Sequence, residues 1–152
     1  MQIDDLDRRL LRLYQTDPTL SAAELADAAQ VPRATAWRRI ERMEELGVIR
    51  GIEAVVDWRK LGFAVEVSLR ITLDKTERSA FDTFLAAARN VPEVTEIQTF
   101  LGRVDVRLNV LARDMAHYQE IYRDRILSLP HISEIEQLML ISDVHTDESL
   151  PL

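Results

Sequence analysis

The chain has 152 residues, 47% apolar and 30% charged, with four glycines, five prolines and a formal net charge of -7, the make-up of one ordinary or two small globular domains and not of a disordered chain. It has no cysteine, and His117, His131 and His145 lie far apart, so disulfides and thiolate metal sites are excluded and no metal-ligand spacing is visible. The start MQIDDLDRR is acidic and lacks the apolar core of a signal peptide, and no stretch approaches the roughly 18 apolar residues of a membrane span, so a cytoplasmic location is expected.

Leu6, Leu10, Leu13 and Tyr14 recur at helical spacing behind Asp4, Asp5 and Asp7, which predicts a helix over 4–15 with carboxylates at its positive end. Asp17-Pro18-Thr19 ends it, and Ser21-Ala22-Ala23-Glu24 has the form of a capping box opening a second helix to about Ala29. After the short break Gln30-Val31-Pro32, the stripe Ala36, Ile40, Met43 predicts a third helix ending near Gly47. From Val48 the period changes to two, giving a short extended piece over 49–56 and then the polar cluster Asp57-Trp58-Arg59-Lys60. Val65, Val67, Leu69, Ile71 and Leu73 alternate with polar residues, predicting a strand over 64–73. A helix over 76–89, strands over 94–101 and 104–112, a helix over 114–128 and a strand over 132–142 complete a βαββαβ order, the ferredoxin-like arrangement. The fold class is therefore α+β, with a helix-turn-helix domain over 1–56, a short strand hinge reaching 57–63 and a ferredoxin-like domain over 64–152. Helices would cover one face of the sheet. Val65, Val67, Val106, Leu108, Met139 and Ile141 are expected to leave the second face needing a cover, which a second copy of the sheet would supply.

Charge divides unevenly along this plan. Residues 1–60 hold ten Lys/Arg against eleven Asp/Glu, whereas 61–152 hold nine against fifteen, so the first half is the one fitted to an anionic partner. Arg33, Arg38, Arg39 and Arg42 concentrate on the third helix. Two helices joined by a tight turn, the second basic, describe a helix-turn-helix whose second helix enters the major groove of double-stranded DNA. With Ala36, Ile40 and Met43 facing inward, Arg33, Ala34, Thr35, Trp37, Arg38, Arg39 and Arg42 are the candidate DNA-contacting residues. Arginine can bond guanine O6 and N7 together or sit against phosphate, while alanine and the threonine methyl can meet a thymine methyl. The competing reading is a solvated helix whose arginines pair with Glu41, Glu44 and Glu45.

The stretch from Leu6 to Phe63, with RIERMEELGVIRG directly after the helix-turn-helix and VVDWRKLGF as hinge, followed by LGRVDV and by LARDMAHYQEIYRDRILSLPHI, resembles the leucine-responsive/AsnC family of bacterial and archaeal transcription regulators along nearly the whole chain. The resemblance implies a sequence-specific DNA-binding transcriptional regulator. It also implies a homodimer joined through back-to-back sheets, often assembled to an octamer, and an amino acid or similar small effector held between protomers. No other cofactor is implied. Effector contacts would fall on Leu101, Gly102, Arg103, Val104, Asp105 and Gln137. Where the family has serine or threonine at the start of the recognition helix and glycine in the preceding turn, this chain has Pro32 and Gln30. It keeps Gly102 and Asp105 but places Arg103 and Val104 between them, and His131 stands at a family glycine. Arg103 could attract a ligand carboxylate or pair with Asp105, so any effector is expected to be more acidic than a neutral amino acid, or absent. Two other readings share the architecture. Siroheme decarboxylases resemble the same regulators, but EIQTFLGRVDVRLN lacks a histidine and no other catalytic grouping is visible, so an enzyme is not expected. An assembly or ligand-binding module without DNA binding would not need the basic helix.

Overall fold

A computed structural model describes residues 3–146 and 149–152. The chain forms two compact units, one running to Val55 and taking in the residues from His145 on, the other spanning Val56–Val144.

The first unit is a three-helix cluster. Helix α1 (Asp5–Thr16) opens with a capping box in which the Asp4 carboxylate accepts from the Asp7 N–H and the Asp7 carboxylate accepts from the Asp4 N–H. Helix α2 (Ala22–Ala29) starts with the reciprocal bonds between Ser21 and Glu24 that its sequence predicts. Helix α3 (Arg33–Glu45) has no side-chain cap, because Pro32 holds the N-cap position, and its first turn closes on the Pro32 carbonyl, which accepts from Thr35 and Ala36. Leu10, Leu25, Ala26, Ala29, Ala36, Ile40 and Met43 are buried together. Alanines at three of these sites let the α2 and α3 backbones approach closely, as a tight turn requires. The chain's end also belongs here. The Gln15 side-chain amide donates to the Leu150 carbonyl at 2.9 Å and accepts from the Leu150 N–H at 3.0 Å, so the end of the tail is bonded to α1.

The expected strand hinge is absent. Residues 51–57 carry no regular structure, since a lone extended segment has no neighbour in the chain to take its backbone bonds. A 3-10 turn, Trp58–Leu61, follows, capped by Asp57.

In the second unit, β1 (Val65–Leu73), α4 (Ala80–Ala88), β2 (Val94–Thr99), β3 (Val106–Ala112), α5 (Met115–Ile121) and β4 (Ile132–Met139) follow in order, with a π-helical turn at Tyr122–Ile126 extending α5. The antiparallel sheet has strand order β2-β3-β1-β4, the ferredoxin-like topology. Register decides the faces. Val65 lies opposite Ala112 and Ile71 opposite Val106, so odd-numbered β1 residues and even-numbered β3 residues share one side. Phe84 and Ala88 of α4 and Tyr118 and Ile121 of α5 pack with them in one core.

This corrects the expectation of an apolar second face. Val67, Val106 and Leu108 are fully buried in the core and Val65 packs against it. Met139 sits opposite Val67 on that same side, and Ile141 lies beyond the end of β4. The open face is largely polar, carrying the pairs Arg107–Glu96 (2.9 Å) and Arg70–Glu136 (3.5 Å) and a bond from Asn109 to Glu66. The apolar sets of the two strands cannot be assigned to sides until their register is known.

Gln30, between α2 and α3, has φ 55° in the left-handed region, where a Cβ is strained by roughly 1 kcal/mol. The turn is held by the Val31 N–H donating to Ala26, the pattern that favours glycine at this position. Gln30→Gly should therefore stabilise the helical unit by about 0.5–1 kcal/mol, read as a higher urea midpoint with an unchanged slope. Gln30→Val should lower that midpoint.

Candidate nucleic-acid interface

Helix α3 buries Ala36, Ile40 and Met43, which fixes what its other faces present. Arg33, Ala34, Trp37 and Arg38 are exposed, with Thr35 intermediate. Trp37, at 58% relative exposure, stands clear of the core because the inward stripe is already filled. Glu41, Glu44 and Glu45 are exposed along the C-terminal half. The outward surface is thus cationic and apolar at the start of the helix and anionic toward its end. None of these glutamates is ion-paired with an α3 arginine among the described residues, so the expected alternative of internal pairing is not how the arginines are held.

Arg39 is placed differently from the other candidates. Its guanidinium reaches Asp4 at 2.6 Å and Asp7 at 3.1 Å, and Arg42 lies 3.7 Å from Asp7. Asp7 is fully buried. A buried carboxylate is costly unless paired and hydrogen-bonded, and here two arginines and the Asp4 N–H supply the partners. The Asp7 N–H and the Arg39 guanidinium hold the Asp4 carboxyl below its ordinary range, and the bond to Asp4 in turn raises the Arg39 pKa. Arg39, grouped by sequence with the DNA contacts, is committed to joining α3 to the start of α1. The signal for this was present: Asp7 falls one turn before Leu10 on the inward side of α1, where a carboxylate needs a cation.

The residues proposed from sequence for an effector separate into two sets. Leu101, Gly102 and Arg103 are exposed and Val104 is intermediate, between β2 and β3. Asp105 is buried and engaged, since it accepts from the Leu73 N–H at 2.9 Å and pairs with Lys75 at 2.7 Å. Arg103 therefore does not pair with Asp105. Its carbonyl accepts from the Thr72 hydroxyl at 3.1 Å, and its guanidinium makes no ion pair among the described residues. Gln137 points to the helix side of the sheet, opposite Leu69, and accepts from the Tyr118 hydroxyl at 2.5 Å. Burial and the neighbouring Tyr122 push the Tyr118 pKa up to about 12, keeping it a donor. Lys75 and Tyr118 were missed as partners because each lies far from its acceptor in sequence. His131, at the position where the family has glycine, has φ 62°, and its carbonyl accepts from Asp74 at 2.7 Å. Among the described residues no group of His, Cys, Asp and Glu could hold a metal ion, and no helix is long and apolar enough to cross a membrane.

Comparison with known proteins also divides the chain between residues 50 and 66. Residues 3–50 match a winged helix-turn-helix DNA-binding model, and residues 66–150 match the Lrp/AsnC ligand binding domain. The chain is 29% identical over 150 residues to the DNA-binding transcriptional activator DecR of Escherichia coli, covering 99% of each. It superposes on an AsnC family transcriptional regulator from Agrobacterium tumefaciens with TM-score 0.87 at 32% identity, covering 97% and 96% of the two chains. A Neisseria meningitidis transcriptional regulator solved as an L-Met complex shares the fold with TM-score 0.89 at 21% identity, covering 99% and 97%. Fold and basic helix define a DNA-binding transcriptional regulator with a separate ligand-binding domain. The chain belongs to the Lrp/AsnC family.

Two outcomes follow from these placements. Arg39→Ala should lower the melting temperature by about 5 °C or more, because it takes the closer of two guanidinium partners from the buried Asp7, whereas Arg33→Ala and Arg38→Ala should leave it nearly unchanged. Circular dichroism melts separate the two classes. Burial opposes ionisation of Asp105, but Lys75 and the Leu73 N–H outweigh it and hold the carboxyl below the ordinary 3.8. A depressed folded-state pKa contributes stability that is complete above the unfolded value and is lost as pH falls through the folded one. Urea titrations should accordingly show wild type losing its margin over Asp105→Asn as pH drops below about 4.

Proposed function

We propose that this regulator reads DNA through the N-terminal half of α3, with Arg33 and Arg38 on phosphate or guanine and with Ala34, Thr35 and Trp37 beside them. The observation that carries this reading is the polarity of the helix: its exposed arginines, Arg33 and Arg38, lie at the start, and Glu41, Glu44 and Glu45 at the end would repel the phosphate backbone. Arg39 supports the interface from behind, and Arg42 stands at the boundary between the two roles. The protein works in the cytoplasm, where its DNA is.

The reading includes a homodimer, with higher assembly to an octamer. Ile52, Val55 and Val56 are exposed on the unpaired segment, as are Leu140, Ile141 and Val144 after β4, apolar side chains of the kind that a partner copy would cover. Two-fold pairing would set two recognition helices one DNA turn, or a multiple of it, apart. The effector is an amino acid or related metabolite received by the 101–104 loop. The Neisseria relative holds L-Met. Here the open guanidinium of Arg103 favours a second carboxylate, and Asp105, already neutralised by Lys75, is withdrawn from binding an ammonium group.

DNA affinity should fall as a power of salt concentration. Arg33→Ala and Arg38→Ala should each weaken binding roughly tenfold with circular dichroism unchanged, and a flat salt response measured by fluorescence anisotropy would overturn the reading. Thermal shifts across amino acids and dicarboxylates should be largest for acidic ligands, by up to about 3 kcal/mol of added stability at a hundredfold excess over Kd. Arg103→Asp should move the preference toward neutral amino acids.

A further inference from the structure

Trp37 separates two hollows on the helical unit. One is lined by Tyr14, Leu20, Leu25 and Ile40, with Glu41 and Glu44 among its walls. The other is lined by Ala22, Arg33, Ala34 and Trp37 alone. The two differ in what can approach them. Carboxylates on the first repel a nucleic-acid backbone, whereas the second has an arginine as its only charge and lies at the cationic start of α3. Its remaining walls are two alanine methyls and an indole, mostly carbon surface whose one polar side-chain group is the indole N–H.

We propose that Ala22, Ala34 and Trp37 form a socket for the C5-methyl group of one thymine in each half-site, so that this regulator selects a base by burying a methyl as well as by arginine contacts. The proposal rests on DNA reading by the start of α3 and adds the chemistry of one subsite. Among the base edges in the major groove the thymine C5-methyl is the one apolar substituent, and it is the group that the carbon surface of two alanines and an indole accepts at least desolvation cost. Arg33 at the rim would hold the neighbouring phosphate and seat the base edge. Trp37 is suited to the wall because its exposed ring is large and stiff, and because the core beneath it is filled by Ala36 and Ile40, so that it cannot fold inward. Burial of one methyl is worth enough to change affinity about threefold to fivefold per subsite.

The test uses the full-length protein and a duplex selected by that protein from a random pool. Each thymine of the selected site is replaced in turn by uracil, which removes the methyl and leaves every hydrogen-bonding group in place. One thymine in each half-site should lose threefold to fivefold in affinity on replacement, with the others near neutral. Trp37→Ala should bind thymine and uracil duplexes equally at that position, and Trp37→Phe should restore part of the difference. If no uracil replacement weakens the unmodified protein while its salt-dependent binding persists, the socket is wrong and the arginine reading stands. An equal thymine preference in Trp37→Ala and in the unmodified protein would also overturn it. Failure to retain any duplex would remove DNA reading itself, and the socket with it.

Discussion

A single buried carboxylate holds the recognition helix in place. Asp7 has no exposed surface, and without Arg39 and the Asp4 N–H it would keep only the looser Arg42 contact at 3.7 Å in the core of a very small unit. Because Arg39 rises from α3 while Asp4 and Asp7 sit at the start of α1, the same bonds that satisfy the charge also fix how α3 is turned about its own axis. Rotating α3 so as to bring Arg39 outward would break the ion pairs and bury Trp37 or Arg38 in place of Ala36. The presentation of the exposed side chains of α3 is therefore coupled to an interaction on the opposite side of the helix. A purely apolar contact between α1 and α3 would tolerate sliding. The directional bonds of a guanidinium do not.

The second unit uses the same device in another form. Asp105 lies just before β3, and it ties to β1 through the Leu73 N–H and to the following turn through Lys75, while its own N–H donates to Ile71. These bonds close the end of the β1–β3 pair beneath the 101–104 loop. The loop's base is thus fixed and its tip is open, with Leu101 and Arg103 exposed, an arrangement that lets the tip vary in sequence without disturbing the sheet.

Much of this was legible from one sequence, and the parts that were not share a physical cause. Elements were readable because each is encoded locally: Ser21 with Glu24, the stripe Ala36, Ile40, Met43, and the alternation from Val65 to Leu73 all concern residues within one turn or one strand. The side of the sheet to which Val106 or Met139 points depends on the register with β1, and register is set by contacts tens of residues away. The same limit governed Arg39 and Asp105. Their residue types announced charge chemistry, but the identity of the partner, Asp7 in one case and Lys75 in the other, is a property of the assembled fold. The strand hinge was misread for a related reason: alternation over 49–56 shows a preference for extended backbone, and a strand exists only where a neighbour accepts its bonds.

The pairing of Gln15 with Leu150 joins residues 135 apart in sequence. As the chain emerges from the ribosome, the three helices can collapse on their own apolar faces long before the residues that complete this contact have been made. The closing of so wide a loop in an unfolded chain carries an entropic cost that grows with its length. The seating of the tail on α1 thus gives the first unit a contact that the local collapse of its three helices cannot supply.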